Sequence, residues 1–454
     1  MTIRDDTARQ LHRLTLDRQR KGRVPGVFAG VVRDGGLAWH TGIGVARLDD
    51  PETPPGPDDQ FLIASNTKTF TATMVMQLRD EGRLSLDDTL DVHVPEVSHP
   101  GLTMRQCLAH VSGMQREPLG DVWEALKFPD RAQLVADFNR AERIHRPHHL
   151  WHYSNLVFSM LGEVVARLDG REWHESLRAR ILDPLEMRRT SVGFVPSTGS
   201  GHRGRHAEGY FVPPWTDVPV PQPGNDLRAM DPCGGLASTG EDLARWSAFV
   251  AEPVAEVLSP DTMEEMCEPQ AVMDREGWTS AMGLGLFLVR SGKRVYVGHT
   301  GGMPGHITAL FTDRAARTGG VVLTNSGTTP DIAGFAVALA DRLTEVEPVV
   351  PEPWRPGTSV PEDLAGLVGT WWTEGSAFHF SVRQGRLEAR ADSLPEDKPA
   401  SVFDPLGPDV FRTVAGRERG ELLRVTRDAD GRPAKLSWAT YLCTREPLAF
   451  GEQP

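Results

Sequence analysis

Lysine is scarce in this chain of 454 residues, which has six lysines against 43 arginines. Arginine keeps its proton in proteins, whereas a buried lysine can lose one. A lysine placed beside a potential nucleophile is therefore a candidate for proton transfer. Acidic residues outnumber basic ones, the formal net charge is -13, and no basic stretch with interleaved aromatics is present. This composition argues against a nucleic-acid-binding surface.

Cysteine and long apolar runs are scarce as well. Cys107, Cys233, Cys267 and Cys443 are far apart and match no metal-ligand or redox spacing, which predicts free thiols in a reducing compartment. No segment approaches the roughly 20 apolar residues of a membrane span, and the charged stretch Met1 to Arg23 lacks the apolar core of a secretory signal. We therefore expect a cytoplasmic protein without a membrane partner.

Apolar periodicity predicts helices enclosed by strands from both ends of the chain, an α+β pattern. The predicted helices are residues 6–20, 61–81, 131–143, 156–168 and 331–343, and the predicted strands are residues 24–32, 35–44, 284–289, 294–298, 308–312 and 319–324. An irregular passage rich in Gly, Pro and His, residues 195–223, is long enough to wall a substrate site. It is either a lid or a simple long loop.

A proline-rich linker, residues 346–361, tolerates neither a helix nor a central strand. It separates a predicted catalytic domain, residues 1–345, from a C-terminal domain, residues 362–454. Turn signals in the latter separate short predicted strands at residues 369–373, 378–383, 386–391, 410–413, 422–427 and 435–441. Such spacing is typical of a small antiparallel barrel.

Ser65 and Lys68 form the first of three chemical motifs. A spacing of three residues on a helix puts both side chains on one face. Lys68 can then serve as the base for a Ser65 nucleophile, as in Ser-Lys variants of the serine triad. A helix-capping serine beside an exposed lysine is the alternative.

The second motif, Tyr153-Ser154-Asn155, directly precedes the predicted helix 156–168. A phenol near a lysine ammonium can pass a proton between nucleophile and leaving group. The Asn155 amide can hold a lysine or a substrate carbonyl. A core tyrosine at a helix start is the alternative interpretation.

The third motif, His299-Thr300-Gly301-Gly302, follows the predicted strand 294–298. Its glycines allow a ligand backbone to approach the strand and leave N–H groups free for an oxyanion. A simple turn has the same composition.

In order and spacing, the three motifs resemble those of the serine beta-lactamase and penicillin-binding-protein superfamily. They are most similar to its class C and DD-peptidase branch, in which the second motif is Tyr-x-Asn and the third can be His-Thr-Gly. Residues 102–113, 183–187 and 234–239 also resemble that branch. The resemblance covers about residues 8–345 and implies an antiparallel sheet flanked by helices, a helical subdomain, and no cofactor or metal.

The resemblance also implies roles for individual residues. Ser65 attacks a carbonyl, Lys68 takes its proton, and Tyr153 relays a proton to the leaving group. Asn155 orients the acyl chain, and His299 replaces a lysine. The implied oxyanion hole is formed by the backbone N–H groups of Ser65 and Gly302, and the implied substrate contacts are Thr300, Gly301 and Gly235.

The catalytic domain followed by a lipocalin-like barrel resembles the penicillin-binding-protein-type thioesterases, which are stand-alone cyclases of nonribosomal peptides. This implies a peptidyl thioester substrate that ends in a D-residue, is held on a peptidyl carrier protein, and closes head to tail through its own amine. The stretch from Trp438 to Pro447 resembles the closing strand of that barrel, which implies a substrate contact for Arg445. A surface arginine beside Glu446 is the alternative.

Other functions share the same residues. A D-aminopeptidase or an esterase would use every catalytic group named above and differ in pocket shape, whereas a non-catalytic peptide-binding protein would not be expected to keep them all. Histidines 145, 148, 149 and 152 precede Tyr153 but follow no zinc pattern, so we expect them to line a wall of the pocket. Trp371 and Trp372 belong to the barrel core or to an apolar groove.

Overall fold

The computed structural model describes residues 3–194, 206–224, 226–350, 353–373 and 375–449. The chain forms two compact units, Met1–Val349 and Val350–Pro454. Each unit has its own hydrophobic core.

The first unit contains helices and strands in alternation. Its described strands are β1 (Gly26–Arg33), β2 (Gly36–Gly44), β3 (Phe61–Leu62), β4 (Ser191–Val192), β5 (Tyr210–Phe211), β6 (Val220–Pro221), β7 (Leu236–Ser238), β8 (Ala271–Val272), β9 (Ser280–Met282), β10 (Phe287–Ser291), β11 (Arg294–Met303), β12 (His306–Asp313) and β13 (Thr318–Thr324). Its described α-helices are α1 (Asp5–Gly22), α2 (Thr67–Asp80), α3 (Leu90–His93), α4 (Met104–Leu108), α5 (Val122–Ala125), α6 (Arg131–Arg140), α7 (Asn155–Asp169), α8 (Trp173–Leu177), α9 (Asp231–Gly234), α10 (Gly240–Ala251), α11 (Pro260–Met266) and α12 (Ile332–Val346).

Eight strands form the main sheet, in the order β2-β1-β13-β12-β11-β10-β9-β8. The named strand pairs of this sheet are antiparallel. β1, from the N-terminal part of the chain, pairs with β13 in a register that runs from Val27 opposite Thr324 to Arg33 opposite Thr318. The sheet is therefore assembled from both ends of the first unit, as the sequence pattern predicts.

β1 is buried on both faces because helices cover both sides of the sheet. Alternate residues of a strand point to opposite faces. Val27, Ala29 and Val31 pack in the cluster that contains Leu11 of α1 and Leu339 of α12. Their neighbours on β1 pack in the larger cluster with residues of α2, α7 and α10. The active-site segments described below lie on this second side.

The second unit is a closed antiparallel barrel. After α13 (Glu362–Ala365), its strands are β14 (Gly369–Thr373), β15 (Ser376–Arg383), β16 (Arg386–Ala391), β17 (Ser401–Gly407), β18 (Val410–Ala415), β19 (Leu422–Arg427), β20 (Pro433–Trp438) and β21 (Tyr441–Thr444). They close in sequence order. The α+β fold class and the C-terminal antiparallel barrel predicted from the sequence are confirmed.

Aromatic side chains fill the barrel. Trp371 and Trp438 are fully buried, and Phe378, Phe380 and Phe403 pack with them. Trp371 donates its indole N–H to the Leu367 carbonyl at 2.7 Å. Trp371 is therefore a core residue, one of the two interpretations open from the sequence.

The cysteines are free thiols, as predicted. Cys107, Cys233 and Cys443 are buried and Cys267 is half-buried. Burial raises the pKa of the Cys107 thiol to about 12 and that of Cys267 to about 11, so both stay protonated at neutral pH. Among the described residues, no helix combines the length and the apolar character needed to cross a bilayer.

Candidate active site

The predicted nucleophile lies between a strand and a helix. After β3, a 3-10 turn covers Ala64–Asn66, and α2 begins at Thr67, later than the sequence pattern predicts. Ala64 has a left-handed φ of 47°, a strained conformation for a residue with a Cβ. The turn leaves Ser65 partly exposed, while Lys68 on α2 is fully buried.

Lys68 makes three hydrogen bonds. Its Nζ lies 3.2 Å from Ser65 Oγ, 2.7 Å from Asn155 Oδ1 and 2.6 Å from the Cys233 carbonyl oxygen. The amide oxygen and the carbonyl can only accept, so they fix two N–H directions and aim the third position of the amine at the serine. The exposed-lysine alternative does not hold, because the Lys68 side chain has no solvent contact.

Glu117 sets the orientation of the Asn155 amide. Asn155 Nδ2 donates to Glu117 Oε1 at 2.5 Å, while Asn155 Oδ1 accepts from Lys68. An ammonium offers only donors and a carboxylate only acceptors, so a single amide orientation satisfies both. Ser154 caps α7 by accepting from the Val157 N–H, which fixes the start of the helix that carries Asn155.

Tyr153 is held by an aromatic ring and two cations. The His110 ring stacks on it at a centroid distance of 4.3 Å, and Lys68 Nζ and the Arg116 guanidinium carbon lie 4.8 and 4.7 Å from its ring centroid. Cations over an aromatic face are attracted by its quadrupole. Burial, reinforced by the charge of Lys68, holds the pKa of His110 well below its usual value. His110 is therefore neutral, and its Nδ1 accepts from the Ser154 N–H.

The third motif lies within β11 (Arg294–Met303), so the turn interpretation is wrong. β10 pairs with β11 only as far as Gly298. Beyond that point, the described strands leave this edge of β11 open. A Cβ on Gly301 would lie 2.0 Å from the Ile63 carbonyl oxygen. Glycine at this position therefore lets the strand lie against the nucleophile turn.

Replacing Gly301 by alanine should lower the free energy of unfolding of the first unit by about 2–3 kcal/mol, because a backbone carbonyl cannot move aside. Gly302→Ala is the matched control. Its Cβ would meet only the Ile307 Cδ1 atom, at 3.3 Å, and should cost less than about 1 kcal/mol. Urea unfolding followed by tryptophan fluorescence measures both variants. Equal losses would contradict the close packing of β11 on Ile63.

His299 offers a lone pair, not a positive charge. Its side chain is 1% exposed and stacks on Phe287 at 4.0 Å. Burial, with a smaller effect of Lys68, lowers the pKa of His299 to about 3. Nδ1 donates to the Thr300 carbonyl at 2.5 Å, and Nε2 has no partner among the described residues. The residue that replaces the lysine of related third motifs is thus an acceptor here.

A third buried histidine, His306, makes the stability of the fold depend on pH. His306 packs against Phe61 and Phe194, and burial, reinforced by His206, lowers its pKa to about 3. An unfolded histidine titrates near 6.5, so the stability contributed by neutral His306 is complete above about pH 6.5 and is lost as the pH falls toward 3.

His306→Phe should therefore flatten the decline of the unfolding free energy between about pH 6 and pH 4 by up to about 1.4 kcal/mol per pH unit. The control is His174→Gln, at an exposed position, which should leave the slope unchanged. Urea unfolding at several pH values gives the slopes. An unchanged slope in His306→Phe would show that His306 is protonated in the folded protein.

The candidate catalytic groups, with Lys68 behind Ser65, meet at one cleft of about 760 Å³. Aromatic and apolar side chains form much of its wall, and Arg116 and Glu117 add a pair of opposite charges. The described lining residues are Ser65, Arg116, Glu117, Trp123, Trp151, Tyr153, Asn155, Phe211, Gln222, Leu227, Cys233, Gly234, Phe287, His299, Thr300, Gly302, Met303, Pro304, Gly305, Ile307 and Gly327.

Most of the predicted site residues meet at this cleft. Those that line it are Ser65, Tyr153, Asn155, His299, Thr300 and Gly302. Lys68 is buried behind Ser65, and Gly301 packs on Ile63. Gly235 lies behind the wall, where its N–H donates to the Asp231 carbonyl at 2.8 Å, and the preceding residue, Gly234, lines the cleft in its place.

Arg445 belongs to the second unit. Its guanidinium carbon lies 3.8 Å from the Trp371 ring centroid. Its N–H groups donate to the carbonyls of Gly366, Val368 and Thr370 at 2.5, 3.3 and 3.1 Å. These contacts hold Arg445 against the barrel. A contact with the substrate stays a prediction.

The histidines before Tyr153 do not form the pocket wall that the sequence predicts. Trp151 and Tyr153 form it instead, while the His145 and His152 rings lie 5.4 Å apart and the His152 N–H donates to the His110 carbonyl. Within the described part of the chain, no group of three or more His, Cys, Asp or Glu residues is arranged to hold a metal.

Sequence patterns did not identify Arg116, Glu117 or His110. His110 lies in the stretch 102–113 that supports the family resemblance, so a signal for it existed. Arg116 and Glu117 follow that stretch and match no motif. They reach the cleft because the Arg116 carbonyl accepts from the Asn155 N–H at 2.8 Å.

Part of the irregular passage 195–223 walls the cleft, as its length suggested. β5 and β6 form a hairpin, and Phe211 and Gln222 from this region are lining residues. Arg23 holds the hairpin loop by donating to Asp217 Oδ1 at 3.0 Å and to the Pro213 carbonyl at 3.1 Å. Residues 195–205 lie outside the described residues.

The fold agrees with what family comparison finds. The model of the Beta-lactamase family matches residues 7–342, and the chain belongs to that family, within the beta-lactamase and penicillin-binding-protein superfamily. A second model, a domain of unknown function called DUF7586, matches residues 360–445.

The chain is similar to several known proteins. Protein flp of Staphylococcus aureus (strain MW2) is 27% identical over 262 residues, 55% of this chain and 50% of that protein. Beta-lactamase-like protein 2 of Dictyostelium discoideum is 28% identical over 262 residues, 55% of this chain and 47% of that protein. The chain thus spans about half the length of the curated relatives it matches.

Three solved structures are similar over most of their length. The octameric penicillin-binding protein homologue from Pyrococcus abyssi has a TM-score of 0.64 at 21% identity, covering 96% of this chain and 99% of that one. SurE has a TM-score of 0.62 at 23% identity, covering 97% and 99%. These two likenesses concern the fold alone. D-amino acid amidase from Ochrobactrum anthropi SV3 has a TM-score of 0.62 at 25% identity, covering 75% and 98%.

Proposed function

We propose that this protein is a serine amidohydrolase that forms an acyl-enzyme on Ser65, with an amide or short peptide of a D-amino acid as acyl donor. The observation that carries the proposal is the contact of Lys68 Nζ with Ser65 Oγ at 3.2 Å beside an open cleft. D-Configuration is proposed by analogy with the similar D-amino acid amidase.

The two other partners of Lys68 explain how it can act as a base. In the basic form that the reaction requires, Lys68 is a neutral amine with two N–H donors, and these match the two acceptors, Asn155 Oδ1 and the Cys233 carbonyl. Its lone pair then faces Ser65 Oγ and can take the hydroxyl proton as the serine attacks. In this mechanism the substrate oxyanion accepts hydrogen bonds from the backbone N–H groups of Ser65 and Gly302. Each donor of this kind lowers the activation free energy by about 3 kcal/mol.

Tyr153 then delivers a proton to the leaving nitrogen. The phenol lies beside Lys68, so the proton taken from the serine can pass to the leaving group through it. His299 Nε2, unprotonated and unpaired among the described residues, can accept a proton from the incoming water. As the ester bond breaks, that proton passes to Ser65 Oγ, which restores the serine hydroxyl and neutral His299.

Two measurements test this function. Intact-mass spectrometry after incubation with a beta-lactam or a fluorophosphonate should show one adduct, absent in Ser65→Ala. Chromatography should then show D-phenylalanine amide hydrolysed faster than the L-enantiomer by wild type. Labelling without amide hydrolysis would reject the amidase and keep the nucleophile, and absence of any adduct would reject both.

A second candidate is the peptide cyclase that the domain order resembles. The observation in its favour is the apolar part of the cleft wall formed by Met303, Pro304 and Ile307. Apolar lining disfavours water, and His299 on the same cleft can deprotonate an attacking amine. The donor would be a peptidyl thioester with a C-terminal D-residue, presented by a peptidyl carrier protein. Mass spectrometry separates the outcomes: a product lighter than the free acid by one water marks cyclisation, and free acid alone marks hydrolysis.

A further inference from the structure

The short helix α9 borders two cavities. Cys233 and Gly234 line the active-site cleft, whereas Asp231 and Pro232 line a second, smaller cavity of about 70 Å³. Within a single helical turn, the chain therefore faces the catalytic groups with one end and a separate space with the other. A change at Asp231 can reach the cleft through the backbone of α9.

α9 holds the catalytic lysine through its backbone. The Cys233 carbonyl accepts from Lys68 Nζ at 2.6 Å, and the preceding carbonyl, of Pro232, accepts from Thr71 Oγ1 at 2.7 Å. Lys68 and Thr71 lie about one turn apart on α2, so two successive carbonyls fix α9 against α2. Pro232 also packs on Gly162 of α7, where a Cβ would lie 2.1 Å from Pro232 Cγ. The position of α9 therefore determines whether Lys68 keeps the acceptor that orients its amine.

Asp231 brings an acid without a partner into this helix. Its carboxyl group is largely buried and has no hydrogen bond or ion pair among the described residues. A Cβ on Gly235 would lie 2.2 Å from Asp231 Oδ1, so this oxygen lies against the backbone that follows α9. Burial, reinforced by the charge of Asp226, raises the pKa of Asp231 to about 7. A buried carboxyl group without a partner is more stable uncharged.

The surroundings of Asp231 do not compensate a negative charge. Arg131 donates to Glu163 at 2.8 Å and to Glu172 at 3.0 Å, so these three groups are paired with one another. Arg228 is half-exposed and donates to the Phe128 carbonyl at 3.2 Å. An ionised Asp231 is therefore stabilised only by moving toward solvent, and α9 moves with it. The charged and titratable groups around α9 and its small cavity are Lys68 of α2, Arg131 of α6, Glu163 of α7, Glu172 and His174 at α8, and Asp226 and Arg228 of the preceding segment.

We propose that Asp231 is a positioning residue for Lys68: an uncharged carboxyl group keeps α9 in place, and an ionised one shifts α9 and withdraws the Cys233 carbonyl from the lysine. Asp231 lines the small cavity and is not among the described lining residues of the cleft. It acts on the reaction through α9 and not through contact with the substrate. This inference rests on the proposed amidohydrolase function.

Asp231→Asn tests the proposal because asparagine has nearly the same shape and cannot ionise. Two quantities are measured between about pH 5.5 and pH 8.5: kcat/KM for D-phenylalanine amide, and the rate constant of Ser65 labelling by a fluorophosphonate. Groups that both proteins share, such as Lys68 and Tyr153, cancel in the ratio of variant to wild type.

We expect both ratios to be about 1 at about pH 5.5, where Asp231 is neutral in wild type. At about pH 8.5 the ionised form of Asp231 outnumbers the neutral form by roughly 30 to 1. Wild type should lose activity there while Asp231→Asn does not, so the ratios should rise to about tenfold or more.

Three further variants accompany this comparison. Asp226→Asn removes the charge that favours the neutral form of Asp231, so its loss of activity should begin at a lower pH than in wild type. Asp231→Leu is also neutral and should match Asp231→Asn, which keeps the test valid if the amide disturbs folding. Asp430→Asn, at an exposed carboxylate of the barrel, is the control and should keep the wild-type profile. Circular dichroism at each pH shows that the proteins are folded.

The outcomes separate this proposal from the proposed reaction. A labelling ratio that stays constant with pH would overturn the role of Asp231, and amide hydrolysis by the same samples would keep the amidohydrolase in place. A labelling ratio that rises with pH, without hydrolysis of the amide, would support the role of Asp231 and reject the amidohydrolase.

Discussion

Lys68→Arg should lower kcat/KM for a D-amino acid amide by about 10³-fold or more, even though it keeps the positive charge. Arginine cannot give up its proton at accessible pH, so it can hydrogen-bond Ser65 but cannot accept the hydroxyl proton. General base catalysis contributes about 10²–10⁴-fold. Lys68 is buried between Asn155 and the Cys233 carbonyl. Among the described residues, it is the base that contacts Ser65.

Lys68→Met is the companion variant, similar in length and uncharged. If Lys68 is a base, arginine and methionine variants should be impaired to a similar degree, and Ser65→Ala should fall to the detection limit, about 10⁵-fold down. If Lys68 acts only through its charge, arginine should retain activity within about tenfold while methionine does not. Thermal unfolding of each variant shows whether the loss is catalytic or structural.

Tyr153→Phe should lower kcat for an anilide of a D-amino acid by about 10²–10⁴-fold, because it removes the proton donor for the leaving nitrogen. The ring remains, and with it the contacts to His110, Lys68 and Arg116. A p-nitrophenyl ester of the same acid releases p-nitrophenolate, a stable anion that needs no proton to leave. Its turnover should fall less than about tenfold.

The control for this comparison is Tyr441→Phe in the barrel, which removes a hydroxyl that contacts Arg417 and Glu418. Neither substrate should respond to it. Equal losses for anilide and ester in Tyr153→Phe would mean that the hydroxyl positions Ser65 or Lys68 and does not protonate the leaving group. Stopped-flow measurement of acylation separates this step from deacylation.

Much of the site is predictable because its chemistry lies in short motifs. The three-residue spacing brings Ser65 to Lys68 although the serine lies in a 3-10 turn, since the turn runs directly into α2. Tyr153 and Asn155 are predictable because they stand at the start of a strongly apolar helix. For the third motif the sequence leaves a ligand-binding segment after a strand and a simple turn as alternatives, because glycine content indicates a turn unless the close approach of Ile63 is known.

The electrostatic state of the site is not predictable from those motifs. His299 is neutral because Phe287 covers it and the Thr300 carbonyl takes its Nδ1 proton, contacts that depend on the packing of β10 against β11. Arg116 belongs to no motif, and it reaches Tyr153 through a backbone hydrogen bond between distant segments. Such long-range placement leaves no trace in local sequence.

In the barrel, too, some strands are predictable from the sequence and others are not. The bounds of β14, β16 and β19 agree with the predicted strands. The sequence pattern does not predict β17, because a proline within a run argues against a strand. Pro405 lies within β17, where the register of the pairing with β18 shifts. The sequence predicts one strand, residues 435–441, where the structure has β20 and β21. The chain turns at Ala439, which has a φ of 51°, and alanine is not a typical turn residue.

The burial of Lys68 makes amine chemistry on this protein unusually selective. Of the six lysines, Lys68 has no solvent contact, Lys435 is half-buried, and the others are exposed: Lys21, Lys127, Lys293 and Lys398. Succinimide esters or aldehyde resins should therefore attach through lysines that are not among the described lining residues of the cleft. The protein can be immobilised or dye-labelled through its amines with the buried Lys68 amine untouched.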